Sequence, residues 1–298
     1  MQPAGQPDDL VEWTGVTARS LALSDGRVLD VHVAGVDEPS APSLVFLYGT
    51  PHTGRHPAPV VAAARASGLR LLSVTRPGYG ASPRRPGRTV LDCAADVHET
   101  LDQLGIARTA VAGYSGGGPH ALALAVLLGD RATHVATFAS PAPYDHTPGW
   151  FTGMAGGGGG LRPAADGRAA RERHQQHAEL DPESFTADDL TALSGPWAAI
   201  GQDAQAASSA GSDHGEIDDD LAFVAPWGVD LATITARCTL FHGADDRIVP
   251  SHHAERLAEL VPTTDLRLLP GSGHVAVLDE VEPWMRAVGA DVATTSSP

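Results

Sequence analysis

The sequence predicts an α/β protein: a doubly wound, mostly parallel sheet of eight strands with a helical cap inserted late in the chain. Three observations carry this expectation. Apolar, strand-like runs alternate with helix-period segments up to residue 138 and again from residue 238. That rhythm breaks once, between Pro141 and Asp230, over a stretch too long to be a loop. Finally, the run Ala110-Val111-Ala112 enters Gly113-Tyr114-Ser115-Gly116-Gly117, which passes directly into an Ala- and Leu-rich helical pattern.

Taken in order, residues 1–10 read as disordered. Val11 to Arg19 and Arg27 to Val33 alternate as strands, with Ser24-Asp25-Gly26 as the turn between them. Ser43 to Tyr48 and Leu69 to Thr75 are continuous apolar runs, the pattern of strands buried on both faces. Between them Val60 to Ser67 forms a short helix, and Thr89 to Leu104 has helical periodicity. Ala107 to Ala112 is the strand before Ser115, His120 to Leu128 continues the helix after it, and His134 to Phe138 is a further strand. Inside the insertion, helical segments are expected around Arg168–Leu180 and Ala187–Leu193. Cys238 to His242 and Asp265 to Leu269 are the last strands; His252 to Leu260 and Val275 to Val288 are the last helices. The expected core is thus 1–140 with 231–298, and the cap is 141–230.

Composition narrows the function classes. Of 298 residues 42% are hydrophobic, enough for a sizeable core. All 20 basic residues are Arg, and Lys and Asn are absent, as codons of a GC-rich genome would favour; a halophilic origin ranks second. With 36 acidic residues the formal net charge is −16, which disfavours nucleic acid and anionic membrane as partners. Cys93 and Cys238 imply no disulfide framework and read as buried thiols. The polar, acidic N-terminus is no signal peptide and there is no membrane-length apolar run, so a cytoplasmic location is expected.

The chemistry is concentrated after the strand ends. A Ser at the tip of a sharp strand-to-helix turn, flanked by glycines, presents its hydroxyl at the N-terminus of a helix, where N–H groups and the helix dipole favour an oxyanion. A hydroxyl needs a general base, and the base needs an acid to orient it. After Ser115 the next two strand ends carry Asp246, in Gly243-Ala244-Asp245-Asp246, and His274, in Gly271-Ser272-Gly273-His274. Asp245 and the more distant Asp145 compete with Asp246 for the acid. The oxyanion donors should be the N–H groups of Gly116 and of Thr50, on the loop after Tyr48; Pro51 has no N–H to offer.

Tyr48-Gly49-Thr50-Pro51-His52-Thr53-Gly54, Arg76-Pro77-Gly78-Tyr79-Gly80-Ala81-Ser82, the elbow through Ala123, and the loops at 243–250 and 271–274 together resemble the α/β-hydrolase superfamily. The resemblance covers the core, not the cap, and is closest to the bacterial group containing esterases, proline-iminopeptidase-like enzymes and carbon–carbon bond hydrolases. It implies acyl transfer to water with no metal or organic cofactor and a small-molecule substrate. A carboxylic ester ranks first, ahead of an iminopeptidase or carbon–carbon substrate; a lyase, cyclase or non-catalytic binder is the reading from another class. Ser rather than Asp or Cys at 115 argues against a dehalogenase, an epoxide hydrolase or a dienelactone-hydrolase-type enzyme. One departure is Tyr48, where the family usually has a His that helps hold the oxyanion loop.

The remaining candidates are weaker. Tyr48, Pro51 and Tyr114 flank the elbow and oxyanion loop, and Trp150, Trp197 and Trp227, with Phe151 and Phe223, sit in or at the cap; these can line an apolar substrate pocket or form the cap's own core. His52 and His56 flank the oxyanion loop. His174 and His177 have metal-compatible helical spacing but no obvious third ligand. Gly156–Gly160 lacks the context of a phosphate loop and reads as a hinge, and Glu216–Asp220 as a solvated acidic face, with attraction of a substrate ammonium as the alternative. Oligomeric state is left open, a homodimer included.

Overall fold

A computed structural model describes residues 15–178, 181–209 and 213–295. Strand β1 (Thr17–Ala22) turns into β2 (Val28–Gly35), and the turn closes with the Leu23 N–H on the Arg27 carbonyl at 2.7 Å. The expected first strand therefore shifts towards the turn, and its beginning, together with the N-terminal ten residues, lies outside the described residues. Then follow β3 (Ser43–Leu47), α1 (Ala58–Ala66), β4 (Arg70–Val74), α2 (Val90–Gln103), β5 (Thr109–Tyr114), α3 (Gly117–Leu128) and β6 (Ala132–Phe138). The core closes with β7 (Arg237–Gly243), α9 (His252–Leu260), β8 (Thr264–Leu269) and α10 (Val281–Thr295).

The eight strands form one sheet in the order β1-β2-β4-β3-β5-β6-β7-β8. β2 is antiparallel to both β1 and β4, and every other neighbouring pair is parallel. Alternation along each central strand feeds two cores. Val45, Leu47 and Val111 pack with Leu122, Leu124 and Leu257 on one face; Leu44, Phe46 and Phe138 pack with Val60, Trp284 and Met285 on the other. Both faces are covered, which is why these strands are apolar throughout. Parallel pairing brings the carboxyl ends of β3, β5, β6, β7 and β8 to one edge of the sheet, where ligand sites of open α/β folds gather.

Local chemistry explains the element ends. Thr89 caps α2 in a reciprocal box with Asp92. The last helix departs from the single span expected over Val275–Val288. A 3-10 turn at Ala276–Glu280 comes first, and α10 starts at Val281 with Pro283 in its first turn, where a missing N–H is tolerated.

Between β6 and β7 the described residues build no strand but five α-helices, besides short 3-10 turns: α4 (Leu161–Ala165), α5 (Arg168–Gln175), α6 (Ala187–Ser194), α7 (Ala198–Ser209) and α8 (His214–Phe223). α5 and α6 match expected segments; α8 does not. Glu216–Asp220, expected as a solvated face, lies on α8 with Asp218, Asp219 and Asp220 all buried. A buried carboxylate needs a partner. Asp219 meets Arg76 and Arg88, Asp218 meets Arg84 and Arg168, and Asp220 meets Arg171. A charge run alone could not reveal that arginines distant in sequence would close over it.

Among the described residues no helix is long and apolar enough to cross a membrane. Cys93 and Cys238 are buried free thiols, pushed by burial up to about 11 and about 12.

Candidate active site

Ser115 sits between β5 and α3 with φ at 50°, the left-handed region that costs a non-glycine residue on the order of 1–3 kcal/mol. The surrounding bonds hold it there. Its N–H donates to the Phe138 carbonyl at 2.8 Å, and its own carbonyl accepts from Gly118 at 2.9 Å. The flanking glycines are steric necessities: a β-carbon at Gly113 would collide with the Gly117 backbone, and one at Gly117 with the backbone of Leu47 and Tyr48.

Three strand-end loops bring Ser115, His274 and Asp246 together. His274 Nε2 lies 2.9 Å from Ser115 Oγ, and its Nδ1 lies 2.8 Å from Asp246 Oδ2. With a carboxylate on Nδ1, that nitrogen carries the proton and Nε2 is free to accept the Ser115 hydroxyl proton. The other Asp246 oxygen accepts the N–H groups of Ile248 and Val249 at 2.8 and 2.9 Å, which orients the carboxylate. Asp245 is exposed, and Asp145 is exposed with its carboxylate turned onto Thr147, so neither reaches His274.

The loop after β3 is held from behind by Arg76. Its guanidinium donates to the carbonyls of Tyr48 and Gly49 at 2.5 and 2.7 Å, and it pairs with Asp219 at 2.6 Å. Asp219 also pairs with Arg88 at 2.6 Å and accepts the hydroxyls of Thr50 and Tyr79 at 2.6 and 2.8 Å. Burial alone would raise this carboxyl, but Arg76 and Arg88 hold it well below the usual carboxylate range. Two other carboxylates of the inserted segment grip core loops. Asp203 on α7 accepts from the His52 ring at 3.1 Å and the Thr53 N–H at 2.9 Å; Asp189 on α6 accepts backbone N–H groups of the His274 loop. Asp189 and Asp203 escaped the sequence reading, and the loop-holding roles of Arg76 and Asp219 were not foreseen. Arg76 stood in a recognised motif and Asp219 in the acidic run Glu216–Asp220, which was expected as a solvated face; nothing marked Asp189 or Asp203.

A cavity of about 360 Å³ opens over Ser115. Its walls are Thr50 from the loop after β3 and Gly116 from the elbow, Pro141, Met154, Leu161, Phe223, Ile248 and Val249 as apolar surface, and Glu216, Asp220, His174, Asp181 and Arg247 as polar surface. The glycine run, expected only as a hinge, forms one wall through Gly156 and Gly158–Gly160. Glu216, Asp220 and Phe223 recur at helical spacing, so one face of α8 looks into this cavity while Asp219 points to Arg76. Burial raises the Asp220 carboxyl, against the pull of Arg171, to about 7. A larger groove of about 810 Å³ lies at the opposite edge of the sheet, beside Ser43, Thr109, Ala132 and Arg237, and touches none of these residues.

Of the aromatic candidates, Phe223 lines the cavity and the others sit elsewhere. Tyr48 is buried, with its hydroxyl donating to His56 Nδ1 at 2.9 Å while His56 Nε2 faces the His32 carbonyl at 3.2 Å. Burial drives the His56 ring down to about 3, so it stays neutral and can accept. Trp197 packs in the sheet's second core and donates to Asp279 at 2.7 Å. Trp227 packs in the first core, and Trp150 forms a cluster with Phe151 and Met154. Tyr114 is buried beneath the elbow, its ring 5.4 Å from that of His274, and the Thr50–Pro51 peptide is cis. None of Tyr48, Pro51, Tyr114, Trp150, Trp197 and Trp227 lines the cavity. His177 falls beyond the end of α5, so the helical His pair does not form, and no metal-holding cluster of His, Cys, Asp and Glu occurs among the described residues.

A family model described as alpha/beta hydrolase fold matches residues 42–281. Among curated proteins, a putative non-heme haloperoxidase of Mycobacterium phage D29 is 32% identical over 120 residues, spanning 37% of this chain and 42% of that protein. A solved hydrolase from Pseudomonas aeruginosa PA01 superposes with a TM-score of 0.69 at 22% identity, covering 92% of this chain and 98% of that one. The enol-lactonase of Burkholderia xenovorans LB400 gives 0.69 at 22% identity, covering 93% and 100%. An esterase from Exiguobacterium antarcticum gives 0.67 at 22% identity, covering 93% and 100%.

Proposed function

The chain belongs to the alpha/beta hydrolase fold family, and on that premise we propose that it is a serine hydrolase cleaving small or medium carboxylic esters. Ser115 Oγ attacks the ester carbonyl carbon as His274 Nε2 takes the hydroxyl proton. Asp246 holds the Nδ1–H and stabilises the imidazolium. The tetrahedral oxyanion rests on the N–H groups of Gly116 and Thr50, near the N-terminus of α3. Its collapse expels the alcohol, which takes the proton from His274; water then adds by the reverse sequence and releases the acid. The segment 141–230 acts as the cap that bounds the acyl pocket.

The observation carrying the reading is the unbroken run of contacts from Asp246 through His274 to Ser115, 2.8 and 2.9 Å, ending on a residue forced into a left-handed backbone. The cavity's volume and mixed lining favour a compact acyl group. A lactone, the substrate class named for the Burkholderia protein, is an internal ester and is open to the same steps. The test is labelling with a fluorophosphonate together with p-nitrophenyl ester hydrolysis. Wild type should label and turn over, and Ser115→Ala should do neither. Equal labelling of the two, or cleavage of a proline arylamide with no ester cleavage, overturns the proposal.

A further inference from the structure

We infer that Asp189, a residue of the inserted segment, is a positioning residue for His274; the inference rests on the reading of His274 as the general base. Asp189 is fully buried on α6, 85 residues before His274 in the chain. Its Oδ1 accepts the N–H groups of Val275 at 2.6 Å and Ala276 at 2.9 Å, and its Oδ2 accepts that of His274 at 3.1 Å. These donors open the 3-10 turn at Ala276–Glu280, and the first N–H groups of a helical turn have no acceptor within it. The carboxylate supplies that acceptor from another element.

Asp189 also completes the capping box of α6 with Thr186, which accounts for part of one oxygen: the Thr186 N–H reaches Oδ2 at 3.0 Å. A cap for α6 does not explain Oδ1, which serves only the His274 loop. Gly273 gives a second, independent sign. A β-carbon there would overlap the Asp189 carboxylate and crowd the Thr186 hydroxyl, so the glycine before His274 is the residue that lets the acid approach. Burial would raise the Asp189 carboxyl, but the N–H groups of Ala276, Thr186 and Val275 hold it below its ordinary value. Ionised and pinned, it fixes the peptide from which the imidazole reaches Ser115 and Asp246.

In Asp189→Asn an amide N–H₂ replaces one acceptor and opposes a backbone donor. With a p-nitrophenyl ester, kcat should fall about 10–100-fold, the scale of a displacement of roughly 1 Å in a catalytic group, with KM within about twofold. The low-field proton resonance of the His274 Nδ1–H should broaden or shift. Thr186→Ala breaks the same capping box but leaves the carboxylate; it should lose thermal stability while keeping kcat and the resonance. Gly273→Ala should reproduce the kcat defect, and the double variant Asp189→Asn/Gly273→Ala should be no worse than the poorer single one, because both disturb one contact. If Asp189→Asn keeps wild-type kcat and resonance, or if Thr186→Ala loses kcat equally, Asp189 only caps α6 and the inference fails. His274→Ala separates the two levels: undiminished turnover there overturns the general-base reading itself.

Discussion

At the scale of single residues, the site depends on which polar groups are left a partner. Asp246 and Asp245 are adjacent in sequence, yet one is buried against His274 and the other faces solvent. Asp246→Asn should therefore lower kcat by about 10⁴-fold, as expected when a base is held in the wrong tautomer, and Asp245→Asn should leave it unchanged; steady-state ester kinetics decide between them. Tyr48 shows the same logic away from the chemistry. Tyr48→Phe strips His56 Nδ1 of its donor inside the core and should cost about 1–3 kcal/mol, measured as urea unfolding. Its effect on kcat should be small, because Arg76 holds the loop at Thr50 from behind.

At the scale of elements, α8 joins the inserted segment to the core through Asp219. Removing the carboxylate leaves Arg76 and Arg88 buried without their acid. Asp219→Ala should thus cost about 3–5 kcal/mol and loosen the loop at Thr50, so that ester turnover and thermal stability fall together. α8 also shows why the sequence misled. Its residues Glu216–Asp220 have the composition of a solvated face, and the three buried acids are distinguished only by the arginines that reach them from residues 76–88 and from α5. By contrast, β3, β4, β5 and α3 were legible because burial on all sides leaves a nearly continuous apolar run.

At the scale of the whole molecule, the acids that join the inserted segment to the core give the fold a pH response with a defined sign. Asp189, Asp203, Asp218 and Asp219 all lie below their ordinary value of 3.8. A lowered acid contributes stability that is present above 3.8 and lost as pH falls through its folded value. Unfolding midpoints should therefore drop steeply below pH 3.8, and Asp219→Asn should flatten that slope. Asp220 has the opposite sign, because burial raises it to about 7. Its ionisation opposes folding increasingly from 3.8 to about 7, so the stability of Asp220→Asn relative to wild type should grow across that interval. A constant difference would show that Asp220 titrates alike in the folded and unfolded chain.

The sequence by itself determined the sheet, the elbow and the chain order of Ser115, Asp246 and His274. Each of these is written locally: in a period of apolar residues, in glycines where a β-carbon cannot fit, and in polar residues placed where strands end. Only the tertiary structure decided what surrounds them. Trp150, Trp197 and Trp227 went into packed cores, the glycine run became a cavity wall, and Asp189, Asp203 and Asp219 came to grip loops far away in sequence. Such contacts have no period and no motif. They arise from the cost of burying a charge, which is met by whichever donors the completed fold brings within reach.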